Sequence, residues 1–248
     1  MRRREQNRRI KKIASGAVLA FLGVALVIVI AVGGAMAWFT GGGEVKNTFT
    51  MGKIKLQLDE PHWNDADGLD LQPGAVRRKD PTVTALSGRS YMRVRLEIVD
   101  GTGALLADEA RLALILQTLF YDKTQALSED KTYALAELEA LQAQGKIDSG
   151  YNRAAFVYAG HARGTPAVRY YNYIADNGIF DAASNDSATL FSHVVIAQDL
   201  SGRAFELLSS AAGYRLRLKA EAMQSDEMTG AAAAFAALNK ATGVEVEA

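Results

Sequence analysis

The chain has 248 residues with 28 Lys/Arg, 28 Asp/Glu, four prolines and no cysteine, which excludes thiol catalysis, cysteine-ligated zinc and disulfide staples. The charge balance is uneven. Residues 1–12 hold seven basic residues and one acid, so the chain after residue 37 carries 21 basic and 27 acidic side chains, a net −6 that disfavours nucleic acid as a partner.

After "MRRREQNRRIKK" no charged residue occurs from Ile13 to Gly43, and Ala17–Val32 is an unbroken apolar block. Its 16 residues fall short of the roughly 20 that a membrane helix needs and suit the apolar region of a signal peptide. Small residues follow, and Ala35-Met36-Ala37 fits the A-x-A pattern that a signal peptidase accepts. Cleavage is expected after Ala37, with Trp38 as the new N-terminus. An uncut N-terminal anchor, with Trp38 and Phe39 at the membrane interface, is the alternative. In both cases the basic end stays cytoplasmic, the body faces outward, and any membrane contact is made by this segment alone.

Residues 38–48, with Gly41, Gly42 and Gly43, read as a flexible mature N-terminal segment, and residues 49–248 as a single domain long enough to bury its own core. In "NTFTMGKIKLQLDE", Ile54, Leu56 and Leu58 alternate with Lys53, Lys55, Gln57 and Asp59, as on a half-buried strand. "YMRVRLEIV" sets Met92, Val94, Leu96 and Ile98 against Tyr91, Arg93, Arg95 and Glu97, and "YRLRLKAEA" sets Leu216, Leu218 and Ala220 against Arg215, Arg217 and Lys219. These three strands are antiparallel in type, each with a solvated face. Less regular strands are expected over 75–84, 154–158, 168–174 and 190–196, between Gly-, Pro-, Asn- and Asp-rich breaks. About seven strands suffice for a sandwich. Helices are expected over 104–120, with Leu105, Leu112, Leu116 and Leu119 on one face, and over 128–144, with Ser128 as N-cap and a stripe of Leu135, Leu138 and Leu141. They form a helical insert at about 104–145. A short helix near 202–209 and an alanine-rich one over 229–239 complete the pattern.

The three histidines, His62, His161 and His193, belong to no H-E-x-x-H pair and read as surface or loop residues. The acidic turn "NDADGLD" places Asp65, Asp67 and Asp70 around Gly68, weak candidates for calcium. It lacks the first and last carboxylates of an EF-hand loop and reads better as a solvated turn. No G-x-S-x-G occurs, and Asp59 and Glu60, adjacent on a strand, point to opposite faces. The residues therefore call for no cofactor and supply no zinc set. The pairs Arg93/Arg95 and Arg215/Arg217 read as the solvated side of their strands.

Several stretches together resemble one family, the exported proteins of Gram-positive bacteria that carry the specialised signal peptide of the matrix-fibre protein TasA and of camelysin. They are "AMAWFTGGG", "NTFTMGKIKLQLDE", "LQPGAVRRKDPTVTALSGRSYMRVRLEI", "RYYNYIADNGIFDAASNDSATLFSHVVI" and "LRLKAEAMQSD", in family order along most of the mature chain. The insert at 104–145 has no counterpart in that pattern. The resemblance implies a jelly-roll-like antiparallel β-sandwich with peripheral helices, trimmed by a dedicated signal peptidase and deployed at the cell surface or in extracellular matrix. There it would associate with itself or with homologous matrix proteins into fibres.

Three functions are weighed. In the first, the protein is a structural one whose segment Trp38, Phe39, Gly41–Gly43 and Phe49 adds as a strand to the edge of a neighbouring copy. In the second, which follows from the family's other label, it is a secreted or surface metalloendopeptidase in which His62, His161 and acidic residues meet only in the fold. In the third it is a surface module held by an uncut N-terminal anchor.

Overall fold

The computed structural model describes residues 54–63, 71–209 and 213–247. In chain order its strands are β1 (Lys55–Asp59), β2 (Val76–Arg78), β3 (Thr82–Ser87), β4 (Arg89–Asp100), β5 (Leu119–Asp122), β6 (Ile147–Ser149), β7 (Phe156–Ala162), β8 (Thr165–Tyr173), β9 (Phe180–Asp181), β10 (Ser187–Thr189), β11 (His193–Val195), β12 (Tyr214–Gln224) and β13 (Val246–Glu247). The helices are α1 (Glu109–Gln117), α2 (Leu135–Ala143), α3 (Gly202–Leu208) and α4 (Ala231–Thr242). No helix of the described residues is long and apolar enough to cross a membrane.

The uninterrupted alternation of "RSYMRVRLEIVD" makes β4 the longest strand, and it lies inside the largest sheet, ordered β12-β4-β8-β7-β13, with β9 on its first residues. All pairings are antiparallel, so each inward residue meets an inward residue: Leu218 opposite Leu96, Ala220 opposite Val94, Ala222 opposite Met92. A second sheet, β1-β3-β10, faces it. Ile54, Leu56, Leu58, Val83 and Ala85 from that layer share one core with Met92, Val94, Leu96, Ile98, Tyr171 and Tyr173 of the large sheet. This is a β-sandwich of antiparallel sheets, and the chain is mainly β, as expected.

A third sheet, β2-β11-β5-β6, is used on both faces. Leu119 and Val194 enter the sandwich core, while their neighbours Phe120 and Val195 turn the other way into a smaller core with Val76, Leu127, Tyr133, Leu138 and Ile147. Strand alternation is the cause, since successive side chains leave on opposite sides.

The helices of residues 104–145 are shorter than their leucine patterns predict. Ala104–Leu106 belong to the end of β4: the Asp100 and Leu106 amides donate to the Ala104 and Ile98 carbonyls at 2.8 and 2.9 Å. The helix begins only after Asp108, whose carboxylate accepts from the Arg111 amide. It ends at Gln117 because Leu119–Asp122 pairs with both β11 and β6. Ser128 is not a helix cap. Its oxygens accept from Asp130 and Lys131 in a turn, and α2 starts at Leu135, with Glu137 accepting from the Ala134 amide and Asp199 from the Leu135 amide. Leu138 is buried, whereas Leu135 is 54% exposed, so the predicted stripe is only partly used. The expected strand over 75–84 is likewise two strands in different sheets, separated by Lys79-Asp80-Pro81, because proline has no amide to continue a ladder.

Candidate functional site

Strand β1 is the first described strand after the N-terminal segment, and it lies at the edge of its sheet. It pairs with β3 from Leu56↔Ala85 to Asp59↔Thr82, and among the described residues no strand pairs with its other side. Leu56 and Leu58 are buried in the core, while Lys55, Gln57 and Asp59 line the outward side.

The far end of β1 is pinned. Glu60–Trp63 folds back on the connection between β2 and β3, where two ion pairs meet. Lys79, 5% exposed, reaches Glu60 Oε2 at 2.8 Å and lies 4.2 Å from the centre of the Trp63 ring. Asp80, also 5% exposed, accepts from the His62 backbone amide (3.2 Å) and faces His62 Nδ1 (2.6 Å) and Arg78 Nε (3.4 Å). A buried carboxylate with this many partners is satisfied, and removing them would strand its charge.

This corner orients one imidazole, as a carboxylate behind a ligating histidine does. It goes no further. Among the described residues no three His, Asp, Glu or Cys side chains come together as a metal-holding group. His161 on β7 faces Tyr158 and Glu247, and His193 on β11 faces Ser192, so each histidine has its own surroundings. Burial holds the His193 imidazole below its ordinary pKa, partly opposed by the Asp122 carboxylate. Depressions lie between α1 and α3 beside Arg111 and Glu206, and around Arg89, Asp176 and Asp181.

Ala35, Ala37, Trp38, Phe39, Gly41, Gly42, Gly43, Phe49, Asp65, Asp67 and Asp70 lie outside the described residues.

The outer face of the large sheet is not solvated throughout, contrary to the reading of its arginines from the sequence. Arg93 is not solvated. It is 1% exposed, with Nε and Nη2 both 2.8 Å from Glu221 Oε2 across the β4–β12 register, and its guanidinium lies 4.5 Å from the centre of the Tyr170 ring. Asn239 of α4 accepts from its Nη1. The signal was present in two pieces: a lone Glu221 among the basic residues of β12, and an alanine-rich helix that must lie on something. Arg95, Arg215 and Arg217 remain partly or fully exposed, as expected.

Residues 9–89 match the family model described as camelysin metallo-endopeptidase, a match over about a third of the chain that covers β1, β2, β3 and the His62–Asp80 corner. No curated protein matches the chain.

Proposed function

We propose, from the camelysin-family region at residues 9–89, that this protein is an exported structural component of the cell surface or extracellular matrix that assembles by adding its N-terminal segment as a strand to a neighbouring copy. The observation that carries the reading is the place of β1. It is an edge strand, locked at its far end by the Lys79–Glu60 and Asp80–His62 contacts, and the aromatic and glycine-rich residues 38–49 precede it in the sequence. An edge of this kind offers unpaired backbone donors and acceptors to a second chain. Head-to-tail addition does not close on itself, so it gives filaments. The partners are a signal peptidase during export, then other copies or homologous matrix proteins.

The test is the N-terminal sequence and intact mass of the protein from culture medium and cell wall, followed by deletion of residues 38–48. The expected start is Trp38, with filaments lost on deletion while the circular dichroism spectrum is kept. A start at Met1, confined to membranes, or filaments that survive the deletion would overturn the proposal.

The second reading rests on the family description, a metallo-endopeptidase, and on His62, whose Nδ1 is held by Asp80 so that Nε2 is the atom left to act. Stoichiometric zinc in the purified protein, together with chelator-sensitive hydrolysis of casein, would establish it in place of the first.

A further inference from the structure

The last strand of the chain closes the large sheet in an unusual way. β13 pairs with β7 through only two residues, Val246 opposite Ala162 and Glu247 opposite His161. The seat is nevertheless shaped for it. Gly160 has φ +124°, and a Cβ there would overlap the Glu247 carbonyl oxygen, so the tail backbone lies where any other residue would carry its side chain. The ladder of β7 also shifts register at this point, between Tyr158 and Gly160 and again after His161.

Around the seat stand groups that read two carboxylates at alternate positions. Arg163 ion-pairs with Glu245, and its backbone amide donates to the Glu245 carbonyl at 2.8 Å. Glu247 Oε1 accepts from the Gly164 amide at 3.0 Å and stands 3.3 Å from His161 Nε2, while Glu247 Oε2 is 3.7 Å from Arg163 Nε. The hold is specific but light, because Arg163 and Glu245 are 70% and 69% exposed and such pairs are screened by water and salt. The tail leaves α4 at Gly243, in the left-handed conformation at φ +66° with no neighbouring atom within 4 Å of the Cβ position. This glycine caps the helix, with the Val244 amide donating to the Asn239 carbonyl at 2.9 Å, and is the point at which the tail turns away. The first part of β7, Phe156–Tyr158, has β8 on one side and, among the described residues, no strand on the other, and Val157 is 42% exposed.

We propose that the β7 edge is an acceptor site for an extended acidic strand, and that the C-terminal tail Val244–Glu247 occupies it in exchange with the tail of a second copy. The sequence that fits the seat is the chain's own Val-Glu-Val-Glu, so a second copy reproduces every contact of the resident one. Swapping identical elements between copies costs little in contacts, and the balance is set by concentration. The inference uses the end of the chain opposite to the assembly segment and stands or falls independently of it.

The experiment uses a labelled peptide of residues 243–248, read by fluorescence anisotropy, against the full chain and against the chain lacking only residues 244–248. Saturable binding is expected to the shortened chain and about tenfold weaker binding to the full chain, whose own tail competes at high effective concentration. Arg163→Glu in the shortened chain should weaken the peptide about fivefold, and a peptide with both glutamates changed to lysine should recover the loss. No binding to the shortened chain, or equal binding with and without Arg163→Glu, overturns the acceptor site. Exchange between copies is read separately on intact chains: Arg163→Glu is mixed with the double variant Glu245→Lys, Glu247→Lys, neither of which pairs its own tail. A mixed species by sedimentation velocity that neither variant forms alone is expected. Its absence overturns the exchange, and because both variants keep the whole chain, a shortened protein that fails to fold does not hide the answer. Filaments lost on deletion of residues 38–48 while the peptide still binds would leave both proposals standing; filaments kept with peptide binding intact would remove only the N-terminal one.

Discussion

On the inner face of β4, Met92, Val94, Leu96 and Ile98 are each at most 1% exposed, packed against the sheet of β1 and β3. On its outer face Arg93 is buried as deeply, but by α4 and against Glu221, while Arg95 and Glu97 stay partly exposed. The inner residues gain from leaving water at roughly 25 cal/mol per Å² of apolar surface. Arg93 and Glu221 instead lose hydration, and their mutual attraction and hydrogen bonds only offset that loss. One strand therefore holds two kinds of burial, one stabilising in itself and one that tolerates no missing partner.

The sharpest way to separate them is to remove one partner. Glu221→Ala should cost about 3–5 kcal/mol, since it leaves the Arg93 charge buried beside the Tyr170 ring and Asn239 alone. Replacing both partners, Arg93→Met with Glu221→Leu, should cost far less, because no charge is then left in the interior. Urea unfolding of the two variants reads the difference, and equal losses would mean that the outer face is held by packing as the inner one is.

The same contrast explains how far the sequence could be read. Period-two alternation located β1, β4 and β12 and assigned Ile54, Leu56, Leu58, Met92, Val94, Leu96 and Ile98 to the core, because residues two apart must share a face. It was silent on what covers the other face. The alternation puts Arg93 on the solvated face because its burial depends on α4, which arrives 138 residues after Arg93 when counted to Ala231. Helix bounds failed for a related reason: Leu105, Leu112, Leu116 and Leu119 fit a helical stripe, yet Leu105 bridges to Val99 and Leu119 pairs with Val194, strand contacts that no local pattern records. The site was legible in part. The edge position of β1 follows from long-range pairing alone, and the Asp80–His62 contact joins residues 18 apart, a separation that no local periodicity reports.

Adjacent tyrosines on β8 extend the comparison to pH. Tyr170 lies on the Arg93 face and Tyr171 in the sandwich core, beside Tyr151 and Tyr158. Burial raises both phenols, and the Tyr171 hydroxyl is pushed up to about 12, partly opposed by Arg169. The unfolded phenol ionises near pH 10, so the unfolded chain holds fewer protons than the folded one between pH 10 and 12. The stabilisation is complete below pH 10 and is lost as pH rises through 12. Tyr171→Phe should therefore flatten the alkaline limb of the stability curve by about 2–3 kcal/mol, with little change at neutral pH. An unchanged alkaline limb would place the pH sensitivity on another group.

The smallest test concerns the cover itself. α4 has two kinds of anchor: the buried Ala234 and Leu238, both at most 1% exposed, and Asn239, which accepts from Arg93 Nη1 of the large sheet. If the buried pair needs the helix, Asn239→Ala should cost about 1.5–2 kcal/mol, the typical worth of a hydrogen bond to a charged group. The loss should appear first in α4, as faster amide exchange at residues 234–242 while the amides of β4 stay protected. A loss below about 0.5 kcal/mol, within the range of ordinary surface changes, would assign the hold of α4 to Ala234 and Leu238. The outer face would then resemble the inner one after all: apolar contacts would hold the helix, and Arg93 and Glu221 would only have to satisfy each other beneath it.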